Sequence, residues 1–124
     1  MASGLAVLAA VQSGCALLAV GAAGAAGAGT VAYVRGELTA ELPNGYESVV
    51  RASNRAIDGL QFKKISEAKD ALKAVLIARR ADDTKVEITI TKESDALTKV
   101  EIRVGVFGDE RLSLMILDKI KGGL

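Results

Sequence analysis

From Thr30 onward the chain alternates apolar with polar residues. Ala32, Val34, Leu38, Ala40 and Leu42 fall on one side, and Tyr33, Arg35, Glu37, Thr39 and Glu41 on the other. A period of two predicts one half-buried strand, with Gly36 on its inner side as a bulge or a close crossing by a helix. Pro43-Asn44-Gly45 breaks the pattern. Tyr46, Val49, Val50, Ser53, Ile57 and Leu60 then recur at helical spacing, which predicts an amphipathic helix over 44–59. Asn44 followed three residues later by Glu47 has the form of a capping box. Strands are expected at 62–67 and 71–80, followed by a turn at Asp82-Asp83. Val86, Ile88 and Ile90 alternate with charged or hydroxyl residues, as do Val100, Ile102, Val104 and Val106, with a turn over 93–96 between them. Two such runs joined by a short polar turn predict an antiparallel hairpin. Asp109 stands where it can cap a last helix over 110–121, whose apolar stripe is Leu112, Met115, Ile116 and Ile120.

The predicted order is β-α-β-β-β-β-α. Strands apolar on one face need a cover, and two helices are available to provide it. The expected fold is α+β, an antiparallel sheet of about five strands with both helices on one face, a helix-grip-like layer occupying residues 30–124. Leu72, Ala74, Leu76 and Ala78 share one side of a strand while Val75 and Ile77 occupy the other. Outward β-branched residues between Lys73 and Arg79 either pack under a loop or form a partner surface, so these four are the candidate binding residues of the folded part.

Charge divides the 124-residue chain sharply. The 16 Lys and Arg and the 15 Asp and Glu all lie from Arg35 onward, so residues 1–34 carry no charged side chain. About 20 apolar residues suffice to cross a bilayer as a helix. Within this stretch Leu5 to Val11 is apolar and is followed by Gln12-Ser13-Gly14-Cys15. A short apolar run followed by small residues has the shape of a secretory signal, and Cys after Ser-Gly resembles the bacterial lipobox. In that reading 1–14 is a signal peptide, Cys15 takes the lipid through its thiol and amine, and 15–29 is a Gly/Ala-rich tether. Its segment from Gly21 to Gly29 spans at most about 30 Å. Two features depart from the usual signal: Gln12 stands three residues before the cysteine, where an aliphatic residue is usual, and no Lys or Arg opens the segment. The rival reading is an uncleaved transmembrane helix over 5–34. In that case Gly21, Gly24, Gly27 and Gly29 would give it a smooth face for self-association.

The near balance of charge gives no electrostatic case for nucleic acid. The chain has no His and one Cys, which excludes an imidazole base, a Ser-His-Asp triad and a zinc site of four Cys or His ligands within one chain. The Gly-rich run lacks the Lys-Ser/Thr of a phosphate loop. Glu37 with Glu41 and Asp82 with Asp83 read as solvated surface, and Asp109-Glu110 as a helix start favoured by the dipole. A hydrolase working with carboxylates and lysine is the remote enzymatic alternative. No catalytic residue, cofactor or metal is expected. The basic stretch from Lys63 to Lys85 is interleaved with acids, which suits a solvated face or, more sharply, contact with anionic lipid.

The combination of Ser13-Gly14-Cys15, a Gly/Ala run and Ala32-Tyr33-Val34-Arg35-Gly36-Glu37-Leu38 resembles small bacterial lipoproteins classed as domain of unknown function 3568. Ile102 to Glu110, with Ile116-Leu117-Asp118 after it, is similar to that family's ending. The resemblance implies an exported lipoprotein of Gram-negative-type bacteria and implies no activity. The expected role is therefore a non-catalytic, membrane-anchored envelope protein that binds a protein or lipid partner. Ala16 after the cysteine, in place of an inner-membrane retention Asp, points to the outer membrane, facing the periplasm.

Overall fold

The computed structural model describes residues 30–124. The elements are β1 (Val31–Val34), β2 (Glu37–Leu42), α1 (Tyr46–Gly59), β3 (Lys63–Lys69), β4 (Lys73–Arg79), β5 (Lys85–Ser94), β6 (Leu97–Val104) and α2 (Glu110–Gly122). One six-stranded sheet has the order β1-β2-β6-β5-β4-β3. Every neighbouring pair is antiparallel. The α+β class, the antiparallel sheet and the two helices stand as the periodicity predicts, with six strands in place of about five.

The extra strand comes from a hairpin where one strand was expected. Arg35 and Gly36 both have positive φ, 54° and 83°. That pair of left-handed residues makes a two-residue turn whose twist matches the strands on either side. The register is Tyr33 opposite Leu38 and Val31 opposite Ala40. Facing parity therefore flips across the turn. In β1 it is Val31 and Tyr33 that face the core, while Val34 is exposed. Gly36 is closely crossed, but by the loop after β6 and not by a helix: a Cβ built there would lie 2.7 Å from the carbonyl oxygen of Phe107.

The inner side of the sheet reads as the alternation requires. Leu38, Ala40, Leu42, Ala74, Leu76, Ala78, Val86, Ile88, Ile90, Val100, Ile102 and Val104 are all buried. Both helices cover this side: α1 contacts β3, β4, β5 and β6, α2 contacts β2 and β6, and the helices pack on each other. Helix α1 buries Val49, Val50, Ala52, Ser53, Ala56 and Ile57 along one stripe. Its N-cap is Gly45 without a side-chain cap, so the expected Asn44 capping box is absent. Asn44 is instead held through its backbone, its carbonyl accepting from the buried Thr98 hydroxyl at 2.7 Å. Helix α2 does carry the expected cap, the Asp109 carboxylate accepting from the Leu112 N–H at 3.0 Å. Its buried stripe is Leu112, Ser113, Ile116, Leu117 and Ile120, with Met115 turned outward.

Two further expectations are corrected. β6 ends at Val104, because Gly105 at φ 69° breaks the alternation that would have carried Val106 inward. The turn between β5 and β6 is also shorter than 93–96, since β5 continues to Ser94 through an irregularity between Lys92 and Ser94.

Candidate functional site

The helices lie on one side only, so among the described residues the other face of the sheet is bare. Antiparallel register sets its side chains in rows. One row runs Glu37, Arg103, Glu87, Ile77 and Ser66 across five strands. The next runs Ala32, Thr39, Glu101, Thr89, Val75 and Ala68. A third holds Glu41, Lys99, Thr91 and Lys73. Opposite charges face each other at Glu37–Arg103, Arg103–Glu87 and Glu41–Lys99, an arrangement that favours pairing of the strands.

The four residues singled out in the sequence, Lys73, Val75, Ile77 and Arg79, stand in line along β4 on this bare face, at alternate positions. Val75 and Ile77 alternate with the buried Ala74, Leu76 and Ala78 and so lie on the side away from the core. They are half-buried by their cross-strand neighbours, Val75 by Ala68 and Thr89 and Ile77 by Ser66 and Glu87. Lys73 is exposed at one end. Arg79 at the other end donates from Nη1 to the Asp83 carbonyl oxygen at 2.9 Å and faces that residue's carboxylate at 3.9 Å.

Beside Arg79 the face dips into a cleft of about 610 Å³, lined by Thr84, Lys85, Glu87, Arg103 and Val106. Its cations are largely engaged. Lys85 lies 3.7 Å from Glu87. Arg103 donates from Nη1 to the Arg35 carbonyl at 3.1 Å and from Nη2 to the Val106 carbonyl at 3.0 Å. Arg103 thus ties the β1–β2 turn to the loop after β6. Sequence reading missed this junction, and the signal that could have found it is the pair of glycines bracketing Val106-Phe107. Gly105 and Gly108 both have positive φ, 69° and 85°, which marks a tight excursion of the backbone. The two residues between them are the most exposed large hydrophobics of the domain, Val106 at 78% and Phe107 at 90%.

The far edge carries a second polar group. Tyr46 is buried and donates its hydroxyl to the Asp70 carbonyl at 2.9 Å. Loss of solvent raises its pKa, against the opposing pull of Lys69 above its ring. Lys69 is itself raised by its hydrogen bond to Glu47. The carboxyl of Glu67 is lowered by its hydrogen bond from Lys64. That of Asp70 is lowered by the Leu72 and Lys73 N–H groups, and that of Asp82 by the Thr84 hydroxyl and N–H. A carboxyl held below its ordinary range stays ionised and is a poor proton donor at neutral pH. Among the described residues no three Cys, Asp or Glu side chains gather as a metal-ligating group, and no helix is long and apolar enough to cross a membrane. Cys15 and the segments 1–14 and 15–29 lie outside the described residues.

No curated protein matches the chain. A family model described as "Protein of unknown function (DUF3568)" matches it over residues 1–122. The opening residues, the hairpin, the bare sheet face and the capped last helix are all spanned by that match, and the chain belongs to this family.

Proposed function

We propose that this protein is a non-catalytic component of a bacterial envelope, anchored through a lipid on Cys15 and presenting the bare sheet face to a protein or lipid partner. The observation that carries the reading is the division of charge: no charged side chain precedes Arg35, and Ser13-Gly14-Cys15 sits within that stretch. The family match supports it, because it takes in the opening residues together with the domain. The paired charges of the exposed rows and the downward shifts of Glu67, Asp70 and Asp82 favour a binding role over acid–base chemistry. The face offers two half-buried β-branched residues, Val75 and Ile77, with Lys73 and Arg79 at their ends, a mixed surface of the kind that protein interfaces use. The absence of Asp after the cysteine favours the outer membrane.

The test is metabolic labelling with a fatty acid analogue, with and without globomycin. Label is expected on the wild-type chain and is lost in Cys15→Ala and under the drug. Label that persists in Cys15→Ala refutes the anchor. Mass spectrometry of the mature N-terminus separates the second reading, an uncleaved helix over 5–34, because that reading requires residues 1–14 to remain and the cysteine to be unmodified.

A further inference from the structure

The β1–β2 turn and the loop after β6 are tied into one projection. Gly36 and Gly108 meet backbone to backbone, a Cβ on Gly108 falling 2.4 Å from the Gly36 Cα. Arg103 hydrogen-bonds both segments, and the ring hydroxyl of Tyr33 lies against Gly108. On this frame Phe107 is 90% exposed, Val106 78% and Val34 61%. Three large apolar side chains held outward at one end of a small sheet are more than scattered surface hydrophobes. Val106 borders the cleft beside Arg79, while Phe107 and Val34 stand outside its lining; a lipid head-group layer needs no matching shape to receive an aromatic side chain.

The charges around the tip are of both signs. Arg79, Lys85 and Arg103 are balanced in large measure by Asp83, Glu87 and Glu37. Arg35 is exposed at the turn itself and has no ion pair among the described residues. The chain enters the sheet at Thr30, about 13 Å from the tip along β1. Residues 16–29 can span at most about 50 Å, so a chain fixed to a membrane at Cys15 can bring this end of the sheet down onto it.

We propose that the tip formed by Val34, Val106 and Phe107 docks into the head-group layer of an anionic phospholipid surface, with Arg35 contacting lipid phosphate. The proposal rests on the anchoring reading above and adds to it an orientation: the tip end of the sheet faces the bilayer, and the β3–β4 turn, with exposed Leu72, points away.

The chain contains no tryptophan, so Phe107→Trp creates a single reporter at the tip and Leu72→Trp one at the opposite end. Both are read in the full-length chain, purified from membranes and reconstituted in vesicles of phosphatidylcholine and phosphatidylglycerol, with and without brominated acyl chains. The tip tryptophan is expected to be blue-shifted and quenched severalfold more strongly by bromine than the Leu72→Trp reporter. Val106→Glu should abolish the difference. Arg35→Asn keeps a residue tolerant of positive φ and should weaken tip occupancy about five-fold in anionic vesicles only. Chains that float with the vesicles while both reporters are quenched equally, or not at all, overturn the proposal and leave the anchor intact. Chains that do not float overturn both. A blue shift that depends on protein concentration and is insensitive to bromine assigns the tip to a second copy and overturns the lipid reading.

Discussion

Two glycines carry more of this structure than their size suggests. Gly36 and Gly108 let two backbones touch, and each sits at a φ that side chains resist. Gly36→Ala would drive a Cβ against the Phe107 carbonyl. It is expected to cost about 2 kcal/mol or more, read as a fall in Tm of roughly 10 °C for a domain of this length. Gly122→Ala, with nothing among the described residues within 4 Å, should change Tm little. The same turn shows where residue-level legibility stops. Arg at positive φ is uncommon, whereas Asn-Gly or Asp-Gly would have announced a hairpin. Apolar residues on both sides of β1 also let an even-numbered pattern run through the turn undisturbed. Two other residues invite a stabilising change. The hydroxyls of Ser53 and Ser113 are fully buried on α1 and α2 without a hydrogen-bond partner among the described residues. Replacing both with Ala should raise stability by about 1 kcal/mol, seen as a higher urea midpoint at unchanged slope.

The elements divide according to how their ends are made. Helix α2 is capped by a carboxylate, and α1 begins at Gly45 with no side-chain cap. Asp109→Ala should therefore destabilise the domain by about 1 kcal/mol, while Asn44→Ala should shift the denaturation midpoint far less. An equal loss at Asn44 would restore the capping box that Asn44 and Glu47 spell in the sequence. The central strands were legible because each alternates cleanly over a covered face, as Val86, Ile88 and Ile90 do. The edge strand was less so, since all seven residues of β3 are exposed and its register to β4 shifts between Lys64 and Ser66. Lys63, Lys64 and Lys69 along that strand, together with the bulge, are what an exposed edge carries when it must not recruit another strand. The binding candidates on β4 were legible as a face. The projecting tip was not, because Val106 continues the parity of Val100, Ile102 and Val104 and only Gly105 diverts it.

Among the described residues the domain is one sheet with one covered face, and its titration follows from the surface pairs described above. Asp70 and Asp82 have carboxyls below their ordinary range. A lowered folded-state pKa stabilises above the unfolded value near 4 and loses that contribution as pH falls through the folded value. Lys69 is raised, so its contribution is present below the unfolded value near 10.4 and is lost as pH rises through the folded one. With no histidine in the chain, no side chain of ordinary pKa below the thiol's titrates from pH 5 to 8. Thermal stability should be flat across that interval and fall at both extremes, with the acid fall made shallower in Asp70→Asn, as followed by calorimetry across pH.

The placement of β1 has a mechanical consequence. It is a four-residue strand at the sheet margin, joined to β2 alone, and the chain reaches it from Thr30. A pull transmitted through the preceding segment loads its ladder at the Val31–Ala40 end, so the rungs open in succession, like a zip, and are not sheared together. β1 can peel away while β2 stays bonded to β6 and both helices keep their seat. Tension on the leading segment would thus be relieved at the margin, leaving β4 and its exposed row in their folded geometry.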